Sequence, residues 1–235
     1  MNLLGGESYD DQSKEYAAFA DESFSWRYIE RPAMDEYLAG YYGQDVNVLD
    51  IGCGNGRIIE HLVDRGIAAE NITGLDPSPN MLDIAAMALP QEVSLVPGKA
   101  AEMPFTDESF NLVVANMVLH AMDDRELDAT VGKISDVLVP GGEFLFIDSN
   151  PREDEEHNFL KRWIARQTPW GTTIRVFNHD MTELLERVAP SHGLECVRSG
   201  PLEVAPEGET DDPAEYARYS LGQFRIAALL RKSVD

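Results

Sequence analysis

The residues best suited to chemistry gather early in the chain, in the stretch VLDIGCGNGR at positions 48–57. Gly52, Gly54 and Gly56 follow directly behind an apolar run, so the backbone there must turn sharply or come close to a ligand. Asp50 stands two residues before the first glycine, and Asp76 stands twenty residues after the third, in the turn TGLDPS. A dinucleotide fingerprint asks for Gly-x-Gly-x-x-Gly and a pyrophosphate on a helix N-terminus. Here the third glycine comes one residue early, and the Asp50 charge suits an ammonium or sulfonium better than a pyrophosphate. A carboxylate at the end of the second strand accepts ribose hydroxyls. The pattern predicts a cationic nucleoside ligand without phosphates. The structural alternatives are a turn-capping carboxylate at Asp50 and a helix N-cap at Asp76, ahead of Pro77.

The elements that must position these residues follow from periodicity. Between about residues 46 and 148, β-rich runs (VNVLDI, NITGLD, VSLVPG, FNLVVANM, EFLFIDS) alternate with helical patterns (GRIIEHLVDRG, NMLDIAAMAL). This alternation implies a parallel sheet with crossover helices. A helix after Asp124 carries Leu127, Val131, Ile134 and Leu138 on one face and stops at Pro140-Gly141-Gly142. Downstream, HDMTELLERVAPSHG reads as a helix with Leu184, Leu185 and Val188 facing inward, and LECVRSG and FRIAALLR read as strands. The first 45 residues are rich in aromatics, Tyr16 among them, expected either to pack on the sheet edge or to form a lid over the ligand.

Composition narrows the function. A chain of 235 residues can bury a full core as one domain. Cys53 and Cys196 are far apart, so no disulfide framework or zinc site is expected, and no metal is inferred. No run approaches 18 apolar residues, which argues against a signal peptide or a membrane span, and a cytoplasmic setting is expected. The 42 acidic residues against 19 basic ones give a formal charge of −23, which repels phosphate backbones and argues against a nucleic-acid partner. Solubility explains that charge most simply. Adaptation to high salt is the alternative, with only five lysines among the basic residues.

Together, VLDIGCGNG, GLDPSPNML, PGKAAEMPFTDESFNLVVANMVLHAM and VLVPGGEFLFID resemble a class I S-adenosylmethionine-dependent methyltransferase of the small-molecule type, over Val48 to about Asn150. The resemblance implies an α/β fold, a Rossmann-like doubly wound, seven-stranded, mostly parallel sheet with an antiparallel last strand and an N-terminal helical lid. It implies one domain over 1–235: a lid segment at 1–45, a cofactor-binding core at 46–150, a substrate cap at 151–178 and a C-terminal helix with strands at 179–235. The implied cofactor is S-adenosylmethionine. Gly52, Gly54, Gly56 and Asn116 would border its methionine part, Asp50 would orient the glycine loop, and Asp76 would hold the ribose, with Tyr16, Pro77 and Met81 completing the site. Arg31, or else Arg27, would meet the cofactor carboxylate, with surface salt bridging as the alternative. One departure stands out: the family often reads Gly-Asp-Ala where this chain has Gly98-Lys99-Ala100, and lysine cannot accept from the adenine amino group. Glu102 or backbone groups of Ala100 and Ala101 are the substitutes. Asn111, where aspartate is commoner, is read as structural.

A sulfonium methyl needs mainly alignment and exclusion of water. A base is required only if the acceptor must lose a proton, and His120, just beyond the fourth strand, is the candidate, with a packing role as the alternative. His157, Trp170 and His179 fall in or beside the expected cap, where a surface helix bearing Phe159, Trp163 and Ile164 is the other reading. Asn116-Met117-Val118-Leu119 is not the Asn/Asp-Pro-Pro-aromatic motif of nucleic-acid amino methylases, and no Pro-Cys nucleophile is present, so a small-molecule acceptor is expected. A silent S-adenosylmethionine binder acting through partner contacts and a nicotinamide-dependent oxidoreductase are the competing functions.

Overall fold

A computed structural model describes residues 10–149, 163–169, 171, 173–222 and 225–234. The sheet that the sequence implies is present. Strands β1 (Val48–Ile51), β2 (Ile72–Asp76), β3 (Ser94–Pro97), β4 (Phe110–Asn116) and β5 (Leu138–Ser149) run parallel, in the spatial order β3-β2-β1-β4-β5. Two later strands extend it. These are β8 (Leu194–Pro201) and β9 (Arg225–Lys232), with β9 antiparallel to both β5 and β8, which gives seven strands in all. Between them in sequence, β6 (Trp163–Gln167) and β7 (Thr173–Phe177) form a separate antiparallel hairpin. The surface helix considered for Trp163 and Ile164 is therefore a strand, while His157, Phe159 and Trp170 lie outside the described residues.

The central strands are continuous apolar runs because both of their faces are covered. On one face Leu49, Ile51, Val113, Phe144 and Phe146 pack with Leu127, Val131 and Ile134 of a helix at Asp124–Val137. That helix stops one residue short of Leu138, which already belongs to β5. On the other face Val48, Leu112, Val114 and Leu145 meet Met34 and Leu38 of a helix at Arg31–Leu38, Ile58, Ile59 and Leu62 of a helix at Arg57–Asp64, and Leu82 and Ala85 of a helix at Pro79–Ala88. Asn111 has the structural role expected of it, since its Oδ1 accepts from the Asn47 N–H at 2.9 Å. The 181–191 helical stretch is capped by Asp180 and passes through a π-helical segment at Leu184–Val188, with Leu184 buried and Leu185 and Val188 packed on the core. Among the described residues, no helix is long and apolar enough to cross a membrane.

Candidate functional site

The carboxyl ends of β1, β2, β4 and β5 lie side by side, and the chemistry-bearing residues collect there. This is the edge where open α/β sheets bind ligands. All three loop glycines have positive φ: +68° at Gly52, +54° at Gly54 and +87° at Gly56. A Cβ on Gly52 would stand 2.5 Å from Val118 Cγ2, and one on Gly56 2.7 Å from Leu89 Cδ1. Those two glycines thus serve the turn and its packing, whereas a Cβ on Gly54 would meet the Tyr16 ring at an ordinary contact of 3.8 Å.

Asp76, at the end of β2, braces this turn. One carboxylate oxygen accepts from the Gly54 N–H at 2.9 Å and the other from the Ser78 N–H at 2.8 Å. The helix N-cap is Ser78, not Asp76: the Ser78 hydroxyl accepts from the Met81 N–H at 3.1 Å. Burial pushes the Asp76 carboxyl above its ordinary pKa, and the two N–H donors only partly offset this. Met81 is buried nearby and Pro77 is exposed. Asp50 is placed differently from the expected loop-orienting contact. It is 1 % exposed, and neither carboxylate oxygen has a hydrogen-bond partner among the described residues. Burial, and then the neighbouring Asp76 charge, raise its pKa well above the usual carboxylate range, with Arg57 pulling the other way.

The N-terminal segment lies across this edge. A helix at Ser13–Ala20 brings Tyr16 to the glycine turn. Asp10 accepts from Ser78 Oγ at 2.6 Å, and Asn55 Nδ2 donates to Asp21 at 3.0 Å. The arginine that sits at the turn is Arg57, the residue after Gly56. Its guanidinium stacks on Trp26 at 4.6 Å, donates to the Ala20 carbonyl and lies 3.9 Å from Glu30. Arg27 pairs with Asp211 at 3.5 Å and Glu22 at 3.8 Å, its surface-salt-bridge alternative, while Arg31 is exposed at the start of its helix. Glu30 is itself buried. It also accepts from Arg225 Nε at 2.9 Å and from Asn116 Nδ2 at 3.3 Å, and Asn116 Oδ1 is buried without a hydrogen-bond partner among the described residues.

Beyond Asn116 the chain turns through Met117 at φ +59°, a left-handed conformation uncommon outside glycine. This turn delivers His120 on a short 3₁₀ segment, Leu119–Ala121. Asp148, buried near the end of β5, holds that segment through the N–H groups of Leu119 at 2.7 Å and His120 at 3.3 Å, and it meets His120 Nδ1 at 2.7 Å. A carboxylate at Nδ1 makes that nitrogen the donor, which leaves Nε2 as the basic atom of the neutral ring. Burial acts to raise the Asp148 pKa, but the His120 charge and the hydrogen bonds outweigh it and hold the carboxyl below its ordinary value. His179 has a bracing role instead: its Nε2 lies 3.0 Å from the carbonyls of both Leu119 and Met122, and burial lowers its pKa. On the far side of β1, Ala100, Ala101 and Glu102 form a 3₁₀ turn beyond β3, with Ala100 buried, Glu102 exposed and Lys99 exposed ahead of it.

Residues 48–142 match the family model of the methyltransferase domain. Over this stretch the chain is similar to methyltransferases. An uncharacterised methyltransferase of Mycobacterium tuberculosis is 38 % identical to it over 95 residues, which cover 40 % of this chain and 36 % of that protein. The matched part is thus about a third of the relative's length. The same fold occurs in an S-adenosylmethionine-dependent methyltransferase from Mesorhizobium loti, at TM-score 0.71 and 19 % identity, with 90 % of this chain and 99 % of that one aligned. A second fold match is the 1,6-didemethyltoxoflavin-N1-methyltransferase of Burkholderia thailandensis, solved with 1,6-didemethyltoxoflavin and S-adenosylhomocysteine, at TM-score 0.60 and 19 % identity over 99 % of this chain and 92 % of that one.

The residues at this edge suit S-adenosylmethionine. The orphaned oxygens of Asp50 and Asn116 are acceptors beside a glycine turn, ready for a cationic amino-acid moiety, and Asp76 offers acceptors at the end of β2. The sequence motifs singled out Asp50, the glycines, Asp76, Asn116 and His120, and the fold brings them to this edge. They did not single out Glu30, Arg57, Asp148 or Arg225, which the fold brings to the same edge, although Arg57 and Asp148 stand inside the quoted motifs.

Proposed function

We propose that this chain transfers the methyl group of S-adenosylmethionine to a small-molecule acceptor that gives up a proton to His120. The observation that carries the proposal is a juxtaposition at neighbouring strand ends: an unpartnered buried carboxylate at Asp50, and an imidazole fixed by Asp148 with its Nε2 left basic. The bound cofactor supplies a methyl group activated by positive sulfur. Asp50, Asn116 Oδ1 and the glycine turn would hold the methionine part, Asp76 the ribose, and the turn at Ala100–Glu102 the adenine. Tyr16 and its helix act as a lid that excludes water, and the β6–β7 hairpin acts as the cap over the acceptor. As the acceptor's oxygen, nitrogen or carbon takes the methyl, its proton passes to Nε2, and Asp148 stabilises the imidazolium that results.

Two observations support a small acceptor. The chain carries a formal charge of −23, and the Burkholderia fold match is solved with a small heterocycle. The absence of Asn/Asp-Pro-Pro-aromatic and Pro-Cys motifs argues the same way, and the expected setting remains the cytoplasm. Calorimetric titration with S-adenosylhomocysteine and with NAD, followed by labelled-methyl turnover on a panel of hydroxyl, amine and carbon-acid metabolites, tests the proposal. Binding of S-adenosylhomocysteine with turnover on a small acceptor is expected. Tighter NAD binding would overturn the reading, and cofactor binding without transfer to any acceptor would favour the silent binder.

A further inference from the structure

Asn116 closes β4 with its backbone fixed on both sides. It pairs with Ile147 in the ladder, and the next N–H, that of Met117, donates to the Ile147 carbonyl at 2.7 Å. The backbone does not decide which end of the buried side-chain amide faces which way. A terminal amide torsion is roughly two-fold, and its two ends are chemical opposites, one a pair of donors and the other an acceptor. Turned one way, Asn116 offers its surroundings an oxygen that attracts an ammonium. Turned the other way, it offers N–H groups that repel one.

Glu30 makes the choice. An ionised carboxylate accepts and cannot donate, so its contact with Asn116 at 3.3 Å comes from Nδ2, and Oδ1 is left as a buried acceptor without a hydrogen-bond partner among the described residues. Glu30 belongs to the N-terminal segment, at the end of a helical turn, Trp26–Glu30. Its own orientation is held: Arg225 Nε donates to one carboxylate oxygen at 2.9 Å, and the oxygen that meets Asn116 also lies 3.9 Å from Arg57. The carboxylate thus has two guanidiniums beside it, and what the amide contact adds is an orientation. That orientation matters at this place in the fold. Ala115 pairs with Ile51, so Asn116 leaves the sheet beside the start of the glycine turn, near the partnerless oxygens of Asp50 on β1.

We propose that Glu30 is a positioning residue for cofactor recognition: by fixing Nδ2 of Asn116 it presents Oδ1 to the α-ammonium of S-adenosylmethionine, so that the docked N-terminal segment makes the site selective for a cationic amino-acid group. This inference rests on the methyltransferase reading of the site, and its test keeps the two apart. Glu30→Gln keeps the side-chain volume but has one accepting and one donating end. A charge-assisted bond is stronger than a neutral one, so the glutamine oxygen goes to Arg225, its N–H groups face Asn116, and the Asn116 amide turns over.

Calorimetry below the melting temperature of every variant compares S-adenosylhomocysteine with its analogue in which hydrogen replaces the α-amino group, in the unaltered chain, Glu30→Gln, Asn116→Ala and the double variant. The unaltered chain is expected to prefer S-adenosylhomocysteine by at least about tenfold, the effect of one hydrogen bond to a charged group. Glu30→Gln should bind S-adenosylhomocysteine at least about tenfold more weakly with its affinity for the analogue unchanged. Because Glu30 acts through the amide, adding Glu30→Gln to Asn116→Ala should leave the preference of Asn116→Ala as it is. An equal fall in preference in both backgrounds would make Glu30 a distant charge and overturn the proposal, and so would equal weakening of both ligands by Glu30→Gln, the mark of a structural role. The unaltered chain supplies a check that no folding failure removes: in its S-adenosylhomocysteine complex the Asn116 amide protons should show nuclear Overhauser contacts to the Glu30 γ-methylene, and their absence would overturn the proposal. Binding of S-adenosylhomocysteine with no preference over the analogue would overturn it too and leave the methyltransferase reading intact. Failure of S-adenosylhomocysteine to bind the unaltered chain would overturn both.

Discussion

Glu30 joins the N-terminal segment to the carboxyl edge of the sheet, and Glu30→Gln tests whether that link is electrostatic. The side chain is 2 % exposed, accepts from Arg225 Nε at 2.9 Å, and has Arg57 at 3.9 Å and Asn116 Nδ2 at 3.3 Å. The amide keeps the volume and removes the charge, leaving two guanidiniums without their shared carboxylate. Breaking a buried pair costs about 3–5 kcal/mol, because the remaining charge stays desolvated. The lower end applies here, since Arg57 keeps its contacts with Trp26 and the Ala20 carbonyl. For a chain of this size each kcal/mol shifts the melting temperature by about 2–4 °C, so a loss of roughly 3 kcal/mol lowers it by about 6–12 °C. Burial alone would raise the Glu30 pKa, but Arg225 and Arg57 outweigh it and depress the carboxyl below its ordinary value. The stabilisation is accordingly complete above the unfolded-state value of about 4.3 and disappears as pH falls through the depressed folded value. Thermal melts of both proteins across an acid series should show a wide gap at neutral pH that closes in acid. A gap below about 2 °C at neutral pH, or one that stays constant into acid, would refute the electrostatic account.

Gly52→Ala should lose about 2–4 kcal/mol in urea unfolding, the sum of left-handed strain and of the clash with Val118. Adding Val118→Ala should recover only the clash, and strict additivity of the two changes would show that they do not meet. Asp76→Ala should weaken S-adenosylhomocysteine binding by about 1–3 kcal/mol in calorimetry, and unchanged affinity would mean that the ribose is held elsewhere. Asp148→Asn removes the carboxylate that sets the His120 tautomer, so turnover should fall by about a hundredfold or more with cofactor affinity unaltered. A normal rate in a folded variant would return His120 to packing.

The sheet was legible because each central strand is buried on both faces and therefore stands out as an apolar run between glycine turns. The β6–β7 hairpin was not. WIARQ and TIRVF are five-residue strands of mixed polarity, and the adjacent Trp163 and Ile164 suit a helix face as well as a strand. At the site, spacing was enough to place Asp50, the glycines and Asp76, which lie on consecutive strand ends. It could not choose Arg57 over Arg27 or Arg31, because that depends on where the N-terminal segment folds back. Glu30 and Arg225 are 195 residues apart in sequence, and Asp148 reaches His120 only because β4 and β5 are neighbours. Pairings of that kind leave no local periodicity to read.

The strand order gives the edge an electrical direction. Asp76 and Asp50 stand on β2 and β1, while Arg225 opens β9, beyond β5. Asn116 and His120 follow β4, between the two poles. Under the proposed function a cationic cofactor would be drawn to the acidic pole. The reacting atoms would then meet over β4, where His120 is held. Glu30 spans that gap from the N-terminal segment, reaching Arg57 at the glycine turn and Arg225 on β9, so docking the segment would complete this charge pairing as it shuts out water.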